Sequence, residues 1–150
     1  MNLAMNVDVQ SRVSNAPSAS EVRSLIGRVR RALPKESSIR SPKSKVELSV
    51  LFCGDARMRR LNRDFRRQDK TTDVLAFPAA EGALLGDIVV SVPYAAREAR
   101  RRGEPRAREI ERLLVHGYLH LLGFDHETDA GEMEALEAAL RRRLGLAGKP

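Results

Sequence analysis

All three histidines of this chain fall within one stretch of eleven residues, His116-Gly-Tyr-Leu-His120-Leu-Leu-Gly-Phe-Asp-His126. The run before it, with Ile110, Leu113, Leu114 and Leu121 at helical spacing, predicts a helix that Gly123 stops. On that helix His116 and His120 lie about 40° apart around the axis and roughly 6 Å apart along it. Two imidazoles so placed can share one metal ion. Glycine at 123 lets the chain turn back and bring His126 over the same point. Three neutral imidazoles suit one zinc ion per chain and leave a position for water, although nickel, copper and iron also take such ligands. The alternative is three core or surface histidines without a metal. Asp125 either fixes the tautomer of a ligand by hydrogen bonding its second nitrogen, or is a turn residue.

The spacing H-x-x-x-H-x-x-G-x-x-H is that of the metzincin protease signature, with one departure. Proteases of that type carry glutamate, the general base, directly after the first histidine; here that position is Gly117. Glu109 and Glu111 lie more than a turn before His116 and do not replace it. Met133 belongs to a helical apolar pattern and reads as core. Peptide hydrolysis is therefore disfavoured. A phosphodiester suits the site better, because a metal can polarise a phosphoryl oxygen and a positive side chain can meet the growing charge.

The rest of the chain predicts one α/β (α+β) domain over residues 1–150: a small mixed sheet of about four strands packed with about five helices. Residues 1–18 are polar and expected to be partly disordered, with Val7 and Val9 hinting at a short strand. Ser18 and Glu21 form a capping box that opens a helix with Val22, Leu25, Ile26, Val29 and Leu33 on one face, ended by Pro34. Val46, Leu48, Val50 and Phe52 alternate as a strand through Cys53. Asp55 can cap a helix to about Arg67 with Met58, Leu61 and Phe65 on its apolar side. Strands follow at 73–77 and 85–92. A helix at 94–102 ends at Gly103, Pro105 opens the histidine helix, and a last helix spans about 129–144.

On the helix from Asp55, Arg59, Arg63 and Arg66 share a face next to the apolar one, with Asn62 and Arg66 on the seam. A seam residue can point into a cleft while its stem stays packed; periodicity alone reads the face as solvated. Arg100–Arg102 and Arg141–Arg143 read as solvated helix surface. Net charge is +7, and 22 of the 27 basic residues are arginine. That fits a polyanion partner such as RNA, or plain solubility, or an arginine-rich genome. Aromatic residues are 4% of the chain and tryptophan is absent, so no base-stacking platform is evident. Cys53, the one cysteine, makes no internal disulfide and reads as buried, which fits a reducing compartment. No apolar run is long enough for a membrane span, and no secretory signal is seen.

The histidine motif with glycine at 117 resembles the signature of the YbeY family of bacterial rRNA maturation endoribonucleases. Leu61-Asn62-Arg63-Asp64-Phe65-Arg66, Asp69–Pro78 and Leu85-Gly86-Asp87-Ile88 agree in order and spacing, so the likeness spans about residues 45–145. It implies a single-strand-specific, zinc-dependent endoribonuclease acting on rRNA, notably at the 3′ end of small-subunit rRNA, and in ribosome quality control; the lone cysteine and the lack of a signal make the cytoplasm the expected compartment. By the same likeness His116, His120 and His126 hold the zinc and Arg66 faces the phosphate. Arg59, Asn62 and Arg63 are candidates for substrate contact. The likeness leaves the nucleophile open between water and the RNA 2′-hydroxyl, and the general base unassigned. The N-terminal stretch has little matching sequence, so Met5 could equally begin the chain. Competing readings are a zinc-stabilised ribosome-assembly factor without chemistry and, less favoured, a metallopeptidase.

Overall fold

The computed structural model describes residues 5–33, 46–79, 84–125 and 127–146. Pro34, expected to end the first helix, and His126 lie outside them. The described residues form four strands, β1 (Met5–Ser11), β2 (Val46–Cys53), β3 (Val74–Pro78) and β4 (Leu84–Ser91), and five helices, α1 (Ala19–Ala32), α2 (Asp55–Arg66), α3 (Val92–Arg102), α4 (Arg106–Leu121) and α5 (Glu132–Arg143). The sheet order is β1-β2-β4-β3. β1, β2 and β4 run parallel, and β3 is an antiparallel edge. Residues 5–11, part of the stretch expected to be partly disordered, pair along their whole length with β2. The signal is faint because, of residues 6–11, Val7 alone is fully buried.

Strand alternation divides the interior. Leu48, Val50 and Phe52 of β2 join Ala76, Ile88 and Val90 on one face, under α1, α4 and α5. Leu51, Cys53, Leu75, Phe77 and Val89 turn to the other face, which Met58 and Leu61 of α2 cover. Cys53 is buried, as expected, and burial raises its thiol pKa. The capping box at Ser18 forms in both directions, Glu21 N–H to Ser18 Oγ and Ser18 N–H to Glu21 Oε1, each 3.1 Å. At Gly86 (φ +150°) a Cβ would lie on the Phe77 carbonyl oxygen and 2.7 Å from Leu121 Cδ2. Only glycine lets β3 and the end of α4 close on β4 there.

Asp55 does not cap α2; Gly54 is the N-cap and Asp55 opens the first turn. Its carboxylate instead accepts two bonds from Arg97 (2.7 and 3.1 Å), one from Ser91 Oγ (2.9 Å) and one from Thr71 Oγ1 (3.2 Å). It thus ties α2, α3, the end of β4 and the approach to β3. The Arg97 bond holds the carboxyl below the usual aspartate range against the opposing push of burial. A depressed carboxyl stabilises the fold fully above about pH 4 and loses that contribution as pH falls through its folded value. Asp55→Asn is expected to lower stability by about 1–2 kcal/mol at neutral pH, a charged-bond value discounted for solvent screening. The gap to wild type should narrow in acid. Urea midpoints from pH 7 to pH 2 check this; an equally wide gap at pH 2 contradicts it.

Candidate active site

Helix α4 brings His116 and His120 one turn apart, with ring centroids 4.6 Å apart in an edge-to-face arrangement and Nε2 atoms 3.1 Å apart. The Nδ1 of His116 is hydrogen bonded to Glu137 on α5. An ionised carboxylate only accepts, so the proton of this contact sits on Nδ1 and the Nε2 lone pair faces His120. Two nitrogens bound at 2.0–2.1 Å to a tetrahedral ion stand about 3.3 Å apart. The observed 3.1 Å and the borderline-soft donors therefore fit a zinc ion. Among the described residues no three ligating side chains cluster; the expected third ligand, His126, lies outside them.

Glu137 takes the place behind His116 that the sequence offered to Asp125 as one of two readings, the other being a turn residue. Asp125 Oδ1 instead accepts the Glu127 amide at 3.0 Å, which makes Asp125 a turn residue among the described contacts. Burial pushes the Glu137 carboxyl up, but the hydrogen bond from His116 and the charge of Arg141 bring it below the ordinary glutamate range. Its signal was legible: 137 falls four residues after Met133 and three before Leu140, an acid inside an apolar helical stripe. Glu137→Gln keeps the shape but supplies a neutral partner. It is expected to weaken zinc binding about 10- to 100-fold while leaving the fold intact. Competition with a chromogenic chelator measures this; unchanged affinity contradicts the assigned role.

The opposite wall comes from the end of α2. Arg67, in the left-handed region (φ 57°), ends the helix, and Asn62 Nδ2 donates to the Lys70 carbonyl at 2.8 Å. Asn62 is buried and lines the cavity, but its amide serves this turn. The Arg66 guanidinium crosses to the edge strand and donates from Nη2 to the Ala76 carbonyl at 3.2 Å. Residues 74 and 76 turn their backbone groups away from β4, because 73 and 91 form a hydrogen-bonded position of the ladder. A cavity of about 360 Å³ lies between these walls, lined among others by Arg66, Lys70, Ala76, His116, His120 and Asp125. Arg59 and Arg63 stand outside it, exposed and paired with Asp69 (2.8 Å) and Asp64 (3.2 Å).

Gly117 lies at the back of this cavity, where α4 crosses β4. A Cβ there would sit 2.9 Å from Ile88 Cγ2. The protease glutamate is thus not merely missing; any side chain at 117 would have to displace the buried Ile88. Asp125 and Glu127, on the turn after α4, are carboxylates that do line the cavity.

The two arginine triplets are not simply solvated. Arg102 pairs with the buried Glu109 at 3.3 Å, and Arg141 approaches Glu137 at 3.7 Å. Arg112, itself buried, pairs with Glu104 and stands 3.5 Å from Glu109. Burial raises the Glu109 carboxyl and lowers the Arg112 guanidinium from their usual values. This ionic layer packs behind His116 and fixes α4 against α3 and α5.

The solution structure of a Thermotoga maritima protein superposes with a TM-score of 0.63 over 93% of this chain and 89% of that one, at 24% identity, and so shares the fold. Among curated proteins called Endoribonuclease YbeY, that of Rhizobium meliloti is 37% identical over 95% of this chain and 93% of its own length. That of Solibacter usitatus is 47% identical over 83% and 80%. That of Anaeromyxobacter dehalogenans is 52% identical over 68% of this chain but only 56% of its own length. The family profile described as Endoribonuclease YbeY matches residues 8–145, and the chain belongs to that family.

Proposed function

We propose that this chain is a metal-dependent endoribonuclease that cuts single-stranded RNA. Its substrate is ribosomal RNA near the 3′ end of the small-subunit species, its partner the small ribosomal subunit, and its place the cytoplasm. Among the described residues no helix is long and apolar enough to cross a membrane. One observation carries the reading: a guanidinium anchored on an edge strand faces a histidine pair across one cavity. A zinc ion held by His116, His120 and His126 would supply a Lewis acid for a phosphoryl oxygen and acidify water.

The chain's own residues do the rest. Glu137 holds the His116 proton at Nδ1 and keeps Nε2 available. Arg66 offers fixed positive charge where the phosphate gains negative charge, without reorganising at the moment of reaction. Asn62 holds the Lys70 carbonyl and so shapes the turn that carries Lys70 to the cavity wall.

The test is cleavage of a defined single-stranded RNA by metal-verified protein, beside a duplex of the same sequence and an unstructured peptide. Cleavage of the single strand alone is expected. Cyclic-phosphate ends would assign attack to the 2′-hydroxyl, and plain phosphate ends to water. Metal-loaded protein that cuts no RNA beyond a contaminant control overturns the reading in favour of an assembly factor, and cleavage of the peptide in favour of a peptidase.

A further inference from the structure

Phe65 is the one large apolar side chain exposed among the described residues, with 68% of its surface open to solvent. The helical pattern of α2 places it with Met58 and Leu61 on the apolar side, yet only Met58 is fully buried. Its ring rests on Phe77 of β3, centroids 5.3 Å apart and tilted by 60°. Phe77 in turn packs against the core beneath α2. The upper ring is therefore held from below and open above.

Its position matters more than its exposure. Phe65 precedes Arg66, and Phe77 follows Ala76, whose carbonyl receives the Arg66 guanidinium. The aromatic pair thus backs the same α2–β3 junction that presents Arg66 to the cavity. Arg66, next to Phe65 in the chain, brings positive charge to this junction, while Arg63 is paired with Asp64. Elsewhere Phe52 and Tyr118 are buried, Phe124 packs against the core, and Arg97 lies over Tyr94 at 5.2 Å. A platform for a base, not evident in the composition, is present beside the site.

We propose that Phe65, backed by Phe77, stacks an unpaired base of the RNA next to the phosphate that Arg66 faces, and so sets the preference for single strands. The proposal rests on the endoribonuclease reading above. A base in a duplex has both faces covered by its neighbours and cannot use the ring. A base in a single strand can, and Arg66 takes the neighbouring phosphate. Stacking of this kind tolerates any base, because each has a π face. Phe65 is thus a specificity-determining residue, and its removal should weaken binding rather than slow the chemical step.

Because the chain holds no tryptophan, Phe65→Trp is a single-fluorophore reporter. It should be titrated with a 2′-O-methyl oligoadenylate, with an abasic oligomer of equal phosphate number, and with a duplex. Saturable quenching by the oligoadenylate alone is expected. In cleavage, Phe65→Ala should raise KM for single-stranded RNA about 5- to 100-fold with kcat within about threefold. Phe65→Tyr should restore KM. Equal quenching by the abasic oligomer, or an unchanged KM in Phe65→Ala, overturns the platform. The two readings fail separately. Base-dependent quenching by protein that cuts nothing leaves the platform standing and removes the nuclease. Cleavage indifferent to Phe65 removes the platform and leaves the nuclease.

Discussion

His120→Ala is expected to lose bound zinc and to lower RNA cleavage by about a thousandfold or more, with little change in stability. The size follows from the several kcal/mol a Lewis acid contributes to a phosphoryl transition state, at about 1.4 kcal/mol per tenfold. His120 is the cleaner position for this test. Its ring meets His116 across 3.1 Å and is half-buried at the cavity. Removing His116 instead would deprive Glu137, whose side chain is only 12% exposed, of its hydrogen-bond partner and leave Arg141 at 3.7 Å as its nearest cation. That variant mixes loss of metal with a carboxylate stranded in the interior, a separate cost. Metal content, cleavage and a urea midpoint, measured on one preparation, separate the effects. Full metal content in His120→Ala contradicts the shared site, and full activity contradicts its part in cleavage.

The elements that carry the site were readable because their signals are local. The capping box needs only residues 18–21, the alternation of β2 only 48–52, and the stop after α4 only Gly123. The placement of His116 and His120 on one face needs nothing beyond helical geometry. What escaped the sequence depends on partners far along the chain. A helical wheel groups Phe65 with Met58 and Leu61, but it does not show where the sheet beneath ends. At Phe65 the ring meets Phe77 of the edge strand and stays open to solvent on its other side. Asp55 has the side chain of a cap, yet Ser91 and Arg97 offer it better partners. Asn62 sits on the seam expected for a ligand contact, and one of its amide N–H groups goes to the Lys70 carbonyl eight residues away. Arg102 and Arg141 read as surface because the carboxylates they neutralise are buried only once α3, α4 and α5 pack.

The arginine that does reach the cavity carries the second large effect. Arg66→Ala is expected to keep its zinc and fold while losing about 10²–10³ in kcat/KM, the range for deleting one preorganised donor at a developing oxyanion. Its bond to the Ala76 carbonyl is worth only about 1 kcal/mol to stability, so the urea midpoint should move little. That bond has a second consequence. With Nη2 committed to the edge strand, the remaining N–H groups of the planar guanidinium are aimed rather than mobile. A lysine offers one point charge and cannot hold the carbonyl while addressing two phosphate oxygens. Arg66→Lys should therefore recover no more than about tenfold of the loss. Arg59→Ala and Arg63→Ala remove charges already paired at the surface. They should leave kcat within about twofold and only soften the dependence of KM on salt. If Arg66→Ala cuts RNA as well as wild type, its guanidinium is a clip for the edge strand and nothing more. If Arg63→Ala matches the loss of Arg66→Ala, the charge of the whole helix face, and not the aimed donor, serves the phosphate.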